Sequence, residues 1–402
     1  MPLHVLIIPD KFKGTLTAAA AAQAIAHGWH RARAGDSLDL LPMSDGGDGF
    51  GEVTSALLKA RIQYVKTVDA AHRSRVARWW WEPRTRTAII ESTAVIGLAM
   101  LPPKRFHPFQ LDTLGLGAVV RAAVKRGARR CLLGIGGSAT NDGGFGLARA
   151  LGWEFLDRSG DSIEQWTSLS RLERIRAPRR RRWFNALLVA TDVQNRLLGA
   201  RGASRVYGPQ KGLREQDFAL AERCLGRMAQ VVRRELGHDF AREPGAGAAG
   251  GLGFSLMAFL GAEMQPGFDL VARQASLERR LSAADLVVTG EGAIDRSTLM
   301  GKGVGQVGRR CRQLKIPCIG LAGMVDISPG AGTCFAQTHA LTQLTSVAQA
   351  KARPGYWLER LAQRVARGGE IRNPKSEIRR KAETRKPKRV RDGGLVPGSI
   401  GH

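Results

Sequence analysis

The stretch HVLIIPDKFKGTLTAAAAAQAIAHGWH, residues 4–30, decides the fold. Its first residues, His4–Ile8, are a short apolar run that stops at Pro9-Asp10. A buried parallel strand reads this way, because both of its faces are covered. The Ala-rich run Thr15–His30 is helical, and Thr15 or Thr17 can cap it. Strand, polar loop, helix is the first half of a β-α unit. The unit repeats with Leu38–Pro42 as strand and Gly49–Lys59 as helix. From Tyr64 to Glu91 the pattern turns into a meander of three strands, with the turn of the last pair at Pro83-Arg84. Trp79-Trp80-Trp81 lies within it and reads as strand packing. Parallel-type strands resume at Arg130–Ile135, Ala186–Ala190, Asp285–Thr289, Cys318–Leu321 and His339–Leu341. The class is α/β, and the switch near residue 64 marks a second domain.

Composition narrows the options. The chain has 402 residues, 43% of them apolar, which rules out wholesale disorder and favours two domains. No stretch approaches the roughly 20 apolar residues of a membrane helix, and the first apolar run is too short for a secretory leader. A soluble, cytoplasmic protein with no membrane partner is expected. Five scattered cysteines with no C-x-x-C pair argue against structural zinc and disulfides. The net charge of +27 raises nucleic acid as a partner. Part of it sits in the run RLERIRAPRRRR, 171–182, which reads as a solvated loop broken by Pro178. Another part sits in 367–402, which reads as a basic disordered tail. No reader motif accompanies either, so no specific nucleic-acid partner is expected.

Glycine is the informative excess, with 49 residues. Glycines, small hydroxyls and carboxylates concentrate where strands end, the place where open α/β sheets bind ligands. The segments are Asp10–Leu16, Ser44–Gly49, Gly134–Gly144, Thr191–Asn195, Gly208–Gly212, Pro244–Gly253 and Thr289–Asp295, with Gly301-Lys302 after them. Glycine lets backbone N–H groups approach phosphate oxygens, lysine adds charge, and strand-end carboxylates hold Mg²⁺ or take a hydroxyl proton. That is the equipment of phosphoryl transfer. Any one segment alone reads equally well as a tight turn or a close helix contact. No P-loop, H-E-x-x-H or G-x-S-x-G pattern occurs.

Taken in order, PDKFKGTL (9–16), DGGDG (45–49), GIGGSATNDGG (134–144), DVQN (192–195), GPQKG (208–212), PGAGAAGGLG (244–253) and ADLVVTGEGAID (284–295) resemble the bacterial type II glycerate kinase family. The resemblance implies a two-domain fold with the active site in the cleft. One domain, flavodoxin- or Rossmann-like with a parallel sheet, takes residues 1–64 with 270–366. An inserted mixed α/β domain takes 65–269. The implied reaction is phosphorylation of D-glycerate by ATP with Mg²⁺, giving 2-phosphoglycerate, and a homodimer is compatible with it. On this reading Asp192, Lys13 and Lys211 are catalytic. Asp45, Gly46, Gly47, Gly136, Gly137, Ser138, Asn141, Asp142, Asn195, Gln210, Gly247, Gly250, Gly251 and Lys302 bind substrate or ATP. Glu291 and Asp295 hold the metal. The sequence departs from the family wording at Asp48, Phe50, Arg196, Ser297 and Val304. Those departures keep one alternative, a related kinase for another small hydroxy acid, and the net charge of +27 keeps another, a nucleic-acid-binding protein on an enzyme scaffold.

Overall fold

The structure is a computed structural model, and it describes residues 2–12, 14–299, 303–326 and 334–368. In chain order the strands are β1 (His4–Pro9), β2 (Ser37–Leu40), β3 (Arg61–Val68), β4 (Ser74–Glu82), β5 (Thr87–Glu91), β6 (Arg130–Gly134), β7 (Glu154–Leu156), β8 (Arg174–Arg176), β9 (Ala186–Ala190), β10 (Glu263–Gln265), β11 (Leu286–Ile294), β12 (Cys318–Val325) and β13 (Gln337–Ala340). They build two main sheets. The first has the order β13-β12-β11-β1-β2 and is parallel throughout. The second has the order β10-β9-β6-β5-β4-β3. It is parallel from β10 to β5 and antiparallel through β4 and β3, which is the expected meander.

Buried apolar runs make the parallel strands, since each must satisfy a core on both faces. Val5 and Ile7 of β1 pack on one side with Ile25 and Trp29 of helix α1 (Ala18–Ala32). Leu6 and Ile8 point to the other side and join a core containing Phe50 and Val53 of helix α2 (Phe50–Leu58). That core also takes Trp80, Ile89, Leu132 and Ala190 from the second sheet, and Phe268 and Val271 from the helix Gly267–Gln274. Residues of both sheets therefore share one hydrophobic cluster. The three tryptophans follow the two-residue period of a strand: Trp80 enters the shared core, while Trp79 and Trp81 enter the core of the second sheet.

Thr17 caps α1, its side chain accepting from the Ala20 N–H at 3.1 Å. The two sequence boundaries fall inside elements, residue 64 within β3 and residues 269 and 270 within the helix Gly267–Gln274. The arginine run 171–182 is not all loop: Arg174–Arg176 is β8, paired with β7, and Ile175 is buried. Arg-Ile-Arg alternation is a strand signal that the surrounding charge obscures. Residues 367 and 368, read as the start of a disordered tail, close the helix Pro354–Gly368, and the rest of that tail lies outside the described residues. All five cysteines are buried and free. No helix among the described residues is long and apolar enough to cross a membrane.

Candidate active site

Asp10 follows β1, Asp45 lies on the loop beyond β2, Glu291 lies near the end of β11, and Asp192 follows β9 two residues after the strand. The carboxyl ends of strands from both sheets meet at the loop Ser44–Gly49. Gly136, beyond β6, donates its N–H to the Gly46 carbonyl at 3.2 Å. Gly46 has φ of +91°, and a side chain there would press on the Ala190 carbonyl at the end of β9. Only glycine lets these two backbones approach so closely. Gly47 donates its N–H to Asp45 Oδ1 at 3.0 Å.

Electrostatics tie the carboxylates together. Burial, and then the charge of Asp45, push the Asp10 carboxyl up to about 7, with Glu291 adding to the rise. Burial, and then the same Asp45, push Asp192 up to about 6. Asp192 Oδ1 accepts from the Gly267 N–H at 2.8 Å, which fixes its orientation at the start of a helix. The nearby cation is Lys11. Its Nζ donates to the Asp48 carbonyl at 3.2 Å and stands 3.9 Å from Asp45 Oδ1. Carboxyls that titrate near neutrality beside a lysine suit proton transfer and cation binding.

A cleft of about 720 Å³ opens at this point, with Asp10, Lys11, Ser44, Asp48, Glu91 and Thr93 in its wall. Asp10, Lys11 and Glu91 were not among the expected site residues. Glu91 is the most constrained of the three. Its carboxylate accepts from the N–H groups of Gly49 at 3.0 Å and Gly51 at 2.8 Å and from the Thr93 hydroxyl at 2.9 Å. The last residue of β5 thus satisfies the orphan donors at the start of α2. The rule that singled out Asp192, an acid closing a buried apolar run, would have found Glu91 in TAIIE and Asp10 in LIIPD.

The other expected residues form a second group. Lys211 ends the helix Ala203–Lys211, is only 7% exposed, and donates to Ser138 Oγ at 3.1 Å and the Thr140 carbonyl at 2.7 Å. Burial brings its ammonium down to about 7, against the opposing pull of Asp142. Asp142 is buried, and its Oδ2 accepts from the Thr113 N–H and hydroxyl and from the Gly146 N–H. Burial, and then Asp112, still raise it to about 6. Asn141 donates to Ser204 at 2.9 Å, while its Oδ1 has no partner among the described residues. Asn195 donates to the Arg201 carbonyl and accepts from Tyr207.

Gly250 and Gly251 are in the left-handed region and pack directly on Thr140, Asn141 and Gly143. Gly247 is pressed on the Arg196 carbonyl. Gly250 and Gly251 thus brace the 134–144 loop, while Gly247 braces the loop at 195–196. Gly137 faces Asp48 and Thr93, on the cleft side. Gln210 is exposed beside Lys211 on a second cavity.

Glu291 Oε1 accepts from Thr298 Oγ1 at 2.6 Å, and Asp295 Oδ1 accepts from the Ser297 N–H at 2.7 Å, so Asp295 also caps the turn that follows β11. Among the described residues no three His, Cys, Asp or Glu side chains are grouped to hold a metal alone. Mg²⁺ is commonly held by one or two carboxylates together with substrate phosphates, so the oxygen donors Asp10, Asp45 and Glu291 fit it in kind. Lys13 and Lys302 lie outside the described residues.

Facing strand ends with coupled carboxyls, a lysine and glycine-built loops define the class: an α/β enzyme of the kinase type. A family model described as the Glycerate kinase family matches residues 5–369. The glycerate 2-kinase of Escherichia coli K12 is 36% identical over 336 residues, covering 82% of this chain and 87% of that protein. The glycerate kinase of Bacillus subtilis 168 is 37% identical over 338 residues, covering 81% and 86%. A crystal structure from Salmonella typhimurium LT2, described as a glycerate kinase 2, aligns with a TM-score of 0.79 at 31% identity, covering 95% of this chain and all of that one. The chain belongs to the glycerate kinase family.

Proposed function

We propose that the protein phosphorylates the 2-hydroxyl of D-glycerate with ATP, in the cleft where the two sheets' strand ends meet. The observation that carries this reading is that the charge of Asp45 raises both Asp10 and Asp192, with Asp10 in the wall of a cleft that also holds Lys11. The names of the relatives support glycerate as the acceptor, and the glycerate 2-kinase among them supports the 2-position.

The chemistry follows from the groups present. The glycerate 2-hydroxyl oxygen forms a bond to the γ-phosphorus as the bond from that phosphorus to the β,γ-bridging oxygen breaks, and ADP leaves with the electron pair. The hydroxyl proton passes to Asp192, whose raised carboxyl is matched to accept it near neutral pH. Asp192 is held for that task by the Gly267 N–H. Lys11 supplies positive charge next to Asp45 and offsets the charge that gathers on the transferring group. When bound, Mg²⁺ would neutralise phosphate charge, with Asp10, Asp45 and Glu291 as the carboxylates within reach of one another's field, and Asp295 adjacent on the same loop. The 134–144 loop, braced by Gly250 and Gly251, offers backbone N–H groups and Ser138 to phosphate. Two domains, 1–64 with 270–366 and 65–269, and a cytoplasmic location with ATP at hand belong to the same reading.

The test is a coupled assay of the full chain with D-glycerate, ATP and Mg²⁺. ADP release that depends on D-glycerate supports the reading. Turnover with another hydroxy acid and none with D-glycerate would overturn the substrate.

A further inference from the structure

The cleft beside Asp10 is not the largest cavity given by the described residues. A second one, of about 970 Å³, lies between the segment 98–111 and the residues 209–214. Its charge is one-sided. Lys104, Arg105, Lys211 and Arg214 line it, with His107 among them, and no Asp or Glu is in its described lining. Two acids stand behind this wall: Asp217, which contacts His107 Nε2 at 3.2 Å and accepts from the Arg214 N–H at 2.8 Å, and Asp142, whose charge is felt by Lys211. Neither acid lines the cavity, and gathering cations on concave walls costs Coulomb repulsion. The cleft beside Asp10 differs in having acids in its wall, Asp10, Asp48, Glu52 and Glu91 beside Lys11, Arg75 and Arg78, with Arg78 paired with Glu52 at 2.9 Å.

Lys211 makes the basic cavity more than a surface patch. It is a buried ammonium whose described partners, Ser138 Oγ and the Thr140 carbonyl, use two of its three donors. Both partners belong to the glycine loop after β6, so the cavity wall and that loop are joined through one cation. Lys104, Arg105 and Arg214 are exposed and able to follow an anion of varied length.

We propose that this basic cavity binds a polyphosphate-bearing small molecule, with Lys211 at its buried wall and Lys104, Arg105 and Arg214 around it. This deepens the functional reading if the ligand is the phosphate donor, and it stands apart from that reading if the ligand is a separate phosphorylated effector. Nothing in the comparisons assigns this cavity.

The probe is inorganic tripolyphosphate, titrated calorimetrically into the full chain at two salt concentrations. The wild type binds it, more weakly at the higher salt. The Lys104→Ser/Arg214→Ser double variant, with both changes at exposed positions and folding checked by its melting curve, binds at least about five-fold more weakly, the least expected from losing two charge contacts. Steady-state kinetics then separate the sources. If the cavity serves the nucleotide, tripolyphosphate competes with ATP and the double variant raises the KM for ATP by a similar factor, with the KM for D-glycerate unchanged. If it serves an effector, tripolyphosphate binds without competing and the KM for ATP stays within two-fold. No binding by the wild type, or equal binding by the double variant, overturns the proposal. The calorimetry needs no turnover, so a chain inactive on D-glycerate would overturn the function proposed above and leave this inference standing.

Discussion

The two cavities divide the chemistry by charge. The cleft at the strand ends is lined by Asp10, Asp48, Glu52 and Glu91 alongside Lys11 and Arg78. The cavity at 209–214 is lined by cations with no carboxylate among its described residues. Carboxyls lifted by burial and by one another can move protons and share a cation, and they repel a bare phosphate. Lysine and arginine in a wall without carboxylates attract it. The loop Gly136–Thr140 joins the two, since Gly136 touches the Asp45–Gly47 loop and Ser138 and Thr140 touch Lys211. Dividing the work this way lets each site keep the field it needs a short distance from the other.

The largest expected effect lies on the acidic side. Asp192→Asn keeps the shape and removes the proposed proton acceptor, and kcat is expected to fall by about 10²- to 10⁴-fold while the protein melts like the wild type. An unchanged kcat would remove Asp192 from the reaction. The bridge between the sites comes next. Gly250→Ala would force a side chain against the Thr140 carbonyl from a left-handed backbone with φ of +69°. It costs at least about 2 kcal/mol of stability, read as a lower denaturant midpoint. A variant as stable as the wild type would show that the loop contact is slack.

The pH profile then sharpens the contrast. With Asp192 as the proposed base, its deprotonated form is the active one, so kcat/KM falls as pH drops through about 6, where that carboxyl protonates. Measured between pH 5 and 8, a profile flat through 6 would contradict its role. The smallest effect should come from Thr17→Ala, which removes the cap that accepts from Ala20. It costs about 1 kcal/mol and leaves kcat unchanged. A large loss of kcat would mean that Thr17 meets substrate directly.

The architecture was legible because buried parallel strands carry unbroken apolar runs that end at Gly or an acid. Val5–Ile8 and Ala186–Ala190 could hardly be anything else, and the tryptophan run packs as read, split between two cores by the strand period. The site was legible only in pieces. Asp192 was singled out by its place after a buried strand, and the fold sets it against the Gly267 N–H and the charge of Asp45. Within Asp10–Leu16 nothing sets Lys11 apart, and the approach of the Asp45–Asp48 loop is what gives it partners. Glu91 looked like the end of a hairpin, yet it caps a helix 40 residues earlier in the chain. The glycines of 244–253 shared one signature with those of 134–138. Which of them face a ligand and which face another loop is a matter of tertiary packing, which local spacing does not encode.

The account rests on the transfer of phosphate from ATP to the 2-hydroxyl of D-glycerate. Phosphorus NMR of the products after incubation with D-glycerate, ATP and Mg²⁺ tests it most directly. The expected result is the appearance of 2-phosphoglycerate together with ADP. A spectrum with 3-phosphoglycerate as the first product, or with no phosphoglycerate at all, would contradict it.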